Sequence, residues 1–411
     1  MYPHRWAVLG VALLVSVPAA AAQSTRVAVT VVPKASFVDE PLHIRVAGLH
    51  ARSSAEIRLR VRDAGGKAWH SSARFRADTR GVIDLDHAVA RSGGYRGRWG
   101  MGLLASLTTP TRARFYPFRT GGTQTFRLQV RVRGRSVGST TFRRSMPGAV
   151  LQRPVSINEA GFLGVYNSRL PSGPRTPGIL LLGGSEGGLP IGPLSTMLAA
   201  RGYSTLGVAY FGAPGLPQTL GRIPLEYFER ALTWLRAQPQ VDRSRIVVIG
   251  VSRGSEAAQL LGVYYPSLVN GVVASVPSNA ALCGFPDCSQ PAWMLNGAPL
   301  PYTQQFNNPY PTDNPEAVIP DERIHGPVFA VCGGSDLVWF SCPYASAIMD
   351  RLSAHGHPYR DVSYAYPRAG HFVGGLLPYS PIAPRALSLN PADERAREAV
   401  WPKLLSFLAR L

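Results

Sequence analysis

Residues 245–262, with the sequence RIVVIGVSRGSEAAQLLG, decide the fold of this chain. They combine a β-branched apolar run, a Gly-x-Ser-x-Gly turn and a segment rich in good helix formers. This order of strand, turn and helix is the setting of a nucleophile elbow, where a sharp turn raises a serine hydroxyl above a sheet. The first amides of the helix face the same point, so an oxyanion forming there would be stabilised. The stretch therefore predicts Ser252 as a catalytic nucleophile.

A second Gly-x-Ser-x-Gly copy, Gly183–Gly187, also follows an apolar run. It continues as GGLP at 187–190, which is typical of a loop and not of a helix. In the α/β-hydrolase fold, a glycine-rich loop after an early core strand supplies one backbone N–H of the oxyanion hole. We therefore expect the amides of Gly184 and Ser185, with the backbone N–H of Arg253, to be the oxyanion donors. The alternative is that this loop is an ordinary strand-to-helix turn.

Two domains are predicted. Residues 26–146 contain short alternating runs without a long helical pattern, which indicates an antiparallel β-sandwich. Over residues 155–411, strand-like runs alternate with helical ones, which indicates an α/β-hydrolase domain with a mostly parallel sheet. Residues 283–319 are rich in Pro, Asn and Gln and form an irregular insertion, a candidate lid. The helix candidate is Pro224–Ala237, and the sheet candidates are Gly178–Leu182, Ser204–Val208, Ile246–Ile249, Gly271–Val276 and Val328–Val331.

Residues 1–22 have the pattern of a secretory signal peptide. Arg5 precedes the apolar stretch Trp6–Val17, and an Ala-x-Ala site ends at Ala22. We expect cleavage near Ala22 and export to the periplasm or the medium. The residue directly after the cleavage site is not a cysteine, so no lipid anchor is predicted. No later segment has about 18 uninterrupted apolar residues, so no transmembrane span is predicted either.

The chain is basic, with 43 Lys and Arg against 24 Asp and Glu and a formal net charge of +19. The arginines are scattered, and some alternate along the chain, as Arg58, Arg60 and Arg62 do. Alternation is typical of the solvent face of strands and not of a nucleic-acid-binding stripe. We predict no nucleic-acid partner. An arginine-biased genome accounts for most of the charge, and loose attraction to anionic envelope polymers is the alternative.

Four cysteines allow three disulfide pairings. In an exported chain, an even number favours disulfides over metal binding. Proximity in sequence favours Cys283–Cys288 and Cys332–Cys342, and the alternative is four free thiols. We predict no metal and no organic cofactor, because acyl transfer by a serine requires neither.

A serine nucleophile requires a histidine base and a carboxylate that orients it, in the order Ser, acid, His in α/β-hydrolases. Asp336 follows the apolar run 327–331, which places it at the carboxyl end of a parallel strand. His371 follows the strand-like run Val362–Tyr366. His355 and His357 instead flank the exit of a helix-like segment, and we expect them to be structural. The predicted triad is Ser252, Asp336 and His371.

Several separate segments closely resemble the acyl-CoA thioesterase / bile-acid-CoA:amino acid N-acyltransferase family. The resemblance covers nearly all of the chain after the signal peptide. In the second predicted domain it lies in residues 180–190 and 208–261, in CGGSDLVWFS at 332–341 and in YPRAGH at 366–371. In the first it lies in FVDEPLHIRVAGL at 37–49, FRADTRGVIDL at 75–85 and GMGLLASL at 100–107.

The resemblance implies a two-domain protein whose hydrolase domain cleaves acyl thioesters, with Ser252, Asp336 and His371 at the triad positions of the family. Members that transfer the acyl group to an amino acid typically carry cysteine at the position of Ser252. A serine there favours water as the acceptor. The familiar members act inside cells, where CoA is plentiful, whereas this chain carries a predicted export signal.

The first functional hypothesis is therefore an exported acyl-CoA thioesterase that acts on a small-molecule acyl thioester. The alternative is an exported carboxylesterase on the same scaffold. An acyltransferase, a peptidase and a non-catalytic protein that binds the cell envelope are further alternatives. Trp293, Trp339 and Phe340 are candidates for lining an acyl pocket, although a core position is the more common place for each. Acyl length, head group and oligomeric state are not encoded in these motifs.

Overall fold

The computed structural model describes Met1 and residues 27–109, 121–146, 150–169, 173–189, 192–379 and 391–411. The predicted signal peptide lies outside the described residues, apart from Met1. Among the described residues, no helix is long and apolar enough to cross a membrane.

The first part of the described chain is almost entirely β-structure. It contains one short helix, α1 (Gly102–Ala105), and the strands β1 (Ala28–Val32), β2 (Ala35–Phe37), β3 (His43–Ala47), β4 (Ser54–Arg62), β5 (Ala68–Arg76), β6 (Ile83–Asp84), β7 (Val89–Ala90), β8 (Ser92–Gly93), β9 (Gly97–Arg98), β10 (Thr123–Val132) and β11 (Arg135–Ser145). One sheet has the order β1-β3-β6, a second has the order β2-β11-β10-β4-β5-β8, and β7 pairs with β9.

Alternating burial explains these strands. Strand β4 buries every second side chain, from Ala55 to Val61, and exposes Arg60 and Arg62, as the sequence pattern predicts. Side chains of both larger sheets, Val46 and Trp69 among them, share one hydrophobic core. The region is therefore all-β with a common core, and its description as a sandwich stays a prediction.

The second part alternates strands and helices. Its strands are β12 (Val150–Val155), β13 (Leu163–Arg169), β14 (Thr176–Leu182), β15 (Ser204–Ala209), β16 (Ile223–Pro224), β17 (Val241–Val251), β18 (Gly271–Ser275), β19 (Trp293–Leu295), β20 (Ala298–Pro299), β21 (Val328–Gly333) and β22 (Val362–Tyr366). Its helices are α2 (Ile157–Ala160), α3 (Gly192–Ala200), α4 (Leu225–Ala237), α5 (Arg253–Tyr264), α6 (Ser341–Ala354) and α7 (Pro391–Ala409), with 3-10 turns at Pro315–Ala317, Asp321–Arg323 and His371–Gly375.

An eight-stranded sheet, in the order β12-β13-β15-β14-β17-β18-β21-β22, forms the centre of this part. The six strands from β15 to β22 are parallel, and β12 and β13 are antiparallel at one edge. The mostly parallel sheet confirms the prediction, and all five predicted apolar runs lie on its strands. Strands β15, β18 and β21 are buried along their whole length and β14 from Pro177 onward, because helices cover both faces of a parallel sheet.

Helix α4 buries the apolar face that its helical periodicity predicts. It begins after Pro224, whose missing N–H costs nothing at the start of a helix. Leu225, Phe228 and Leu232 follow one face and are fully buried. The sequence therefore predicted both the existence and the start of this helix.

The predicted irregular insertion, residues 283–319, is largely irregular in the structure. It contains β19, β20 and one 3-10 turn, and β19 pairs with β16. Trp293 is buried within the core of the second part. Much of the insertion is thus packed against the sheet domain, and a role as a lid stays a prediction.

Charged contacts join the two parts. The Asp39 carboxylate accepts two hydrogen bonds of 2.9 Å from the Arg201 guanidinium and one of 3.1 Å from the indole of Trp401 on α7. The Trp99 indole donates to Glu398, also on α7, at 2.6 Å. Helix α7 therefore lies between the β-rich part and the sheet that carries the predicted triad.

Candidate active site

Ser252 occupies a strained turn between β17 and α5. Its backbone has φ 55° and ψ −122°, a conformation that L-residues rarely adopt, and the residue is 6% exposed. A Cβ at Gly250 would overlap the carbonyl of Gly254, and a Cβ at Gly254 would overlap the carbonyl of Gly183. Only glycine fits at these two positions, which is why this turn has the Gly-x-Ser-x-Gly pattern.

The glycine-rich loop after β14 passes beside this turn. A Cβ at Gly184 would lie 3.0 Å from the Cβ of Ser252 and 2.8 Å from Oε2 of Glu186. The Tyr210 hydroxyl donates to the carbonyl of Gly183 at 2.6 Å, and the Gly188 N–H donates to the carbonyl of Phe211 at 2.9 Å. The loop is therefore anchored to the chain that follows β15, an anchor that the sequence did not reveal.

The two predicted sources of oxyanion donors lie on either side of Ser252. Ser185 belongs to the glycine-rich loop and is partly exposed. Arg253 is the first residue of α5, and the first four N–H groups of a helix have no partner within it. The second Gly-x-Ser-x-Gly copy thus runs into a loop, as predicted, and not into a helix.

Asp336 lies just beyond the carboxyl end of β21. Its Oδ1 accepts from the N–H groups of Val338 at 2.9 Å and Trp339 at 3.3 Å. Its Oδ2 accepts from the Ser341 hydroxyl at 2.8 Å and is 2.8 Å from Nδ1 of His371. The side chain is almost completely buried. Donors thus surround the carboxylate and fix its orientation.

His371 begins the 3-10 turn after β22, and its ring is 12% exposed. Because Nδ1 contacts Asp336, Nε2 is the ring nitrogen that remains for a different partner. The Trp339 ring packs edge-on against the imidazole, with centroids 5.8 Å apart, and its indole N–H donates to the carbonyl of Val276 at 3.0 Å. The imidazole is thus fixed by a carboxylate on one side and an aromatic ring on another.

The end of β18 connects the serine turn to the histidine turn. The Ser252 N–H donates to the carbonyl of Ser275 at 2.9 Å, and the Ser275 hydroxyl donates to the carbonyl of Gly374 at 3.0 Å. Gly374 lies in the same 3-10 turn as His371. Sequence analysis missed this connection, because a serine that ends a buried strand has no distinguishing pattern.

A buried ion pair follows Ser252 on α5. The Arg253 guanidinium lies 2.9 Å from the Glu256 carboxylate and also donates to the carbonyls of Leu282 and Cys283. Glu256 accepts from the Trp293 indole at 2.9 Å. Burial raises the pKa of Glu256 to about 7, against the opposing effect of Arg253. The guanidinium, to which the sequence assigned no role, thus joins the start of the insertion to α5.

The other predicted positions divide into core and surface. His357 is bound by Asp361 at 2.7 Å and by the carbonyl of Ile324 at 2.8 Å, and His355 caps the end of α6. Both lie at or just after the end of α6, where the sequence placed them, and their structural role stays a prediction. Trp293 and Trp339 are buried, but Phe340 is 53% exposed, so the expectation of a core position was wrong for it. Phe340 precedes the first turn of α6, and its N–H is held by Asn307 at 2.7 Å, which leaves its ring outside the core.

Both favoured disulfides are present. Cys283–Cys288 closes a loop within the insertion, and Cys332–Cys342 joins the end of β21 to the first turn of α6. The second bridge brackets Asp336. Among the described residues, no group of three or more His, Cys, Asp or Glu side chains is placed to hold a metal ion.

Two family models match the chain. Residues 223–410 match the model described as BAAT / Acyl-CoA thioester hydrolase C terminal. Residues 39–156 match the model described as Acyl-CoA thioester hydrolase/BAAT N-terminal region. The two matches fall on the two parts of the fold.

Similar proteins cover most of the chain. Acyl-coenzyme A thioesterase 6 of Homo sapiens is 30% identical over 367 residues, which are 84% of each protein. Acyl-coenzyme A thioesterase 6 of Mus musculus is 28% identical over 400 residues, which are 90% of this chain and 93% of that protein. Among solved structures, a protein of Klebsiella pneumoniae described as a dienelactone hydrolase is 16% identical, with a TM-score of 0.46. That match covers 64% of this chain and 100% of the other.

Proposed function

The chain belongs to the acyl-CoA thioester hydrolase/BAAT family, and from this premise we propose that it is an exported serine hydrolase that cleaves an acyl thioester to a free acid. The supporting observation is the hydrogen-bonded pair of Asp336 and His371, which is tied through Ser275 to the strained turn of Ser252. A nucleophile, a base and a group that orients the base are the parts that acyl transfer by serine requires.

In the first half of the proposed reaction, the Ser252 hydroxyl oxygen attacks the acyl carbonyl while Nε2 of His371 takes its proton. The negative charge on the carbonyl oxygen is stabilised by the backbone N–H groups of Ser185 and Arg253. When the intermediate collapses, the C–S bond breaks, and the leaving sulfur takes the proton from His371. An acyl ester of Ser252 and a free thiol result. Asp336 stabilises the imidazolium that forms between these steps.

In the second half, His371 removes a proton from water as the water oxygen attacks the acyl-enzyme. Collapse of this second intermediate breaks the ester bond, and the proton returns from His371 to the Ser252 oxygen. The free acid leaves and the enzyme is regenerated. Water is the proposed acceptor because the nucleophile is serine, whereas the family resemblance associates cysteine with transfer to an amino acid.

An exported carboxylesterase is the second candidate, because the two disulfides favour a compartment outside the cytosol, whereas CoA is plentiful inside cells. Disulfides persist in oxidising compartments and are rare in the cytosol. They support the proposed export. A thioesterase and an esterase share all the steps above and differ only in whether sulfur or oxygen leaves.

The deciding experiment measures kcat/KM for acyl-CoA and p-nitrophenyl ester series of matched chain length. We expect acyl-CoA to be preferred, and Ser252→Ala to lower kcat at least a thousandfold. Ser346→Ala, an exposed serine on α6, is the matched control and should retain full activity. Preference for the oxygen esters with the same loss in Ser252→Ala would replace the thioesterase by the esterase. Equal activity of Ser252→Ala and wild type would exclude the proposed mechanism.

A further inference from the structure

A cavity of about 630 Å³ lies between the β-rich part and the hydrolase part. None of the three predicted triad residues lines it. Three segments line it: residues 94–99 of the first part, residues 366–368 after β22, and one face of α7 between Ala392 and Ala399. Its size is in the range of small-molecule sites, which frequently lie between domains. The question is what chemistry this cavity fits.

Its charged lining has one sign. Arg96, Arg98, Arg368 and Arg395 line the cavity, and none of its described lining residues is acidic. All four arginines are exposed, and Arg368 already has a partner of its own. The described acids of this stretch of α7 have partners too: Asp393 accepts from the Gly370 N–H, Glu398 accepts from the Trp99 indole and the Tyr379 hydroxyl, and Glu394 pairs with Arg397. The cavity therefore attracts anions, and guanidinium groups match phosphate in particular because they can donate two parallel hydrogen bonds.

One of these arginines is already positioned. The Arg395 guanidinium lies over the Trp99 ring, 4.5 Å from its centroid, and donates to the carbonyl of Arg98 at 3.3 Å. This arrangement restricts the side chain before any ligand binds, so less conformational entropy is lost on binding. Arg395 is bound by the backbone carbonyl of Arg98, so the Arg98 guanidinium takes no part in this hydrogen bond.

Tyr95 forms part of the wall of the cavity and is 8% exposed. Its hydroxyl is shielded from solvent, so the ring and not the hydroxyl borders the open space. Burial raises the pKa of this phenol, so it stays uncharged and does not offset the positive charge of the arginines.

The cavity lies close to the candidate active site along the chain. Arg368 is three residues before His371, so their Cα atoms are separated by at most about 11 Å. A ligand held here could therefore belong to the same molecule as the scissile bond at Ser252. Thioesters of CoA have this form: the acyl group and the phosphates stand at opposite ends of a flexible arm.

We propose that this arginine-lined cavity binds the phosphates at the nucleotide end of an acyl-CoA substrate. The inference rests on the proposed function for its substrate class, but binding at the cavity requires no catalysis. It assigns to Arg96 and Arg98 a role in substrate affinity and none in bond cleavage.

Binding is tested by calorimetry on the full-length protein with adenosine 3′,5′-bisphosphate. We expect saturable binding, a loss of affinity on the order of tenfold or more in Arg96→Ala/Arg98→Ala, and no loss in Tyr95→Phe, because the Tyr95 hydroxyl does not border the cavity. Arg360→Ala is the matched control, because Arg360 is exposed and precedes the opposite end of β22. No binding by the wild type, or equal binding by all variants, would overturn the proposal. So would inorganic phosphate binding as tightly as the bisphosphate.

Kinetics separate the site from the proposed function. Arg96→Ala/Arg98→Ala should raise KM for acyl-CoA on the order of tenfold, without changing kcat or the KM for an acyl N-acetylcysteamine thioester, which has no phosphate. Equal KM changes for both substrates, or none, would overturn the site. If the wild type hydrolyses no thioester but binds the bisphosphate in an arginine-dependent way, the proposed function fails and the site stands.

Discussion

Nδ1 of His371 lies 2.8 Å from Oδ2 of Asp336, and that carboxylate also accepts the Ser341 hydroxyl and two backbone N–H groups. These three hydrogen bonds fix the position of the carboxylate independently of its contact with the imidazole. Because the loop that holds it is also closed by the Cys332–Cys342 bridge, the orientation of His371 depends on a rigid segment and not on one contact alone.

Asp336→Asn should lower kcat by about a thousandfold to ten-thousandfold with little effect on folding, because an amide no longer stabilises the imidazolium. Steady-state kinetics and a thermal unfolding curve test this prediction. Asp361→Asn is the matched control, because Asp361 binds the structural His357. It should leave kcat nearly unchanged. Similar kcat losses in the two variants would contradict the assignment of Asp336.

Gly254→Ala should lower the free energy of unfolding by about 2 kcal/mol or more, because the added Cβ would overlap the carbonyl of Gly183. The strained turn of Ser252 would also shift, so activity should fall. Denaturant unfolding and kinetics measure the two effects. Gly192→Ala is the control, since no atom lies within 4 Å of its Cβ position. Equal stability of the two variants would show that the turn is not tightly packed.

The protonation of Glu256 predicts a pH dependence of stability. Burial raises its folded-state pKa to about 7 from the ordinary value of 4.5, so the folded state binds the extra proton between these values. This contribution is fully present below about pH 4.5 and is lost as the pH rises through 7. It amounts to at most about 3 kcal/mol at 1.36 kcal/mol per pKa unit.

Urea unfolding at pH 5 and pH 8 measures this effect. The free energy of unfolding should change less with pH in Glu256→Gln than in the wild type. Glu316→Gln, an exposed glutamate, is the control and should follow the wild type. If Glu256→Gln had the wild-type pH dependence, another group would be responsible.

Removal of the Cys332–Cys342 bridge by the double change to alanine should lower the free energy of unfolding by about 2–3 kcal/mol, from the lost constraint on a ten-residue loop. It should also lower kcat, because the bridge brackets Asp336. The double alanine variant of Cys283 and Cys288 is the comparison. Its kcat should fall less, as Arg253 and Glu256 also hold that segment. A larger loss of kcat in this second variant would contradict the argument.

The sequence predicted the parallel sheet because strands that are buried on both faces appear in a sequence as continuous apolar runs, such as Ser204–Val208. It also predicted which Gly-x-Ser-x-Gly copy precedes a helix, because the residues after Ser252 are good helix formers. The favoured disulfides were confirmed for a simple reason: short loops bring cysteines together. These features depend on local patterns of residue type.

Contacts between distant segments were not predictable. The link from Ser252 through Ser275 to Gly374 joins the ends of β17 and β18 to the 3-10 turn of His371, and no local pattern marks it. The two carbonyls that accept from Arg253 lie about 30 residues away along the chain. The arginine-lined cavity combines segments that are nearly 300 residues apart. A periodic pattern reports which face of an element is buried but not which element covers it.

The most direct test of the central claim is to locate the reactive serine. The protein is labelled with a serine-directed fluorophosphonate until hydrolysis of acyl-CoA stops, and its tryptic peptides are analysed by mass spectrometry. The account predicts one label on the peptide of residues 246–253, which carries Ser252, and no label on the peptide of residues 176–201, which carries Ser185. Inactivation with the label on Ser185, or with Ser252 unlabelled, would contradict the proposed nucleophile.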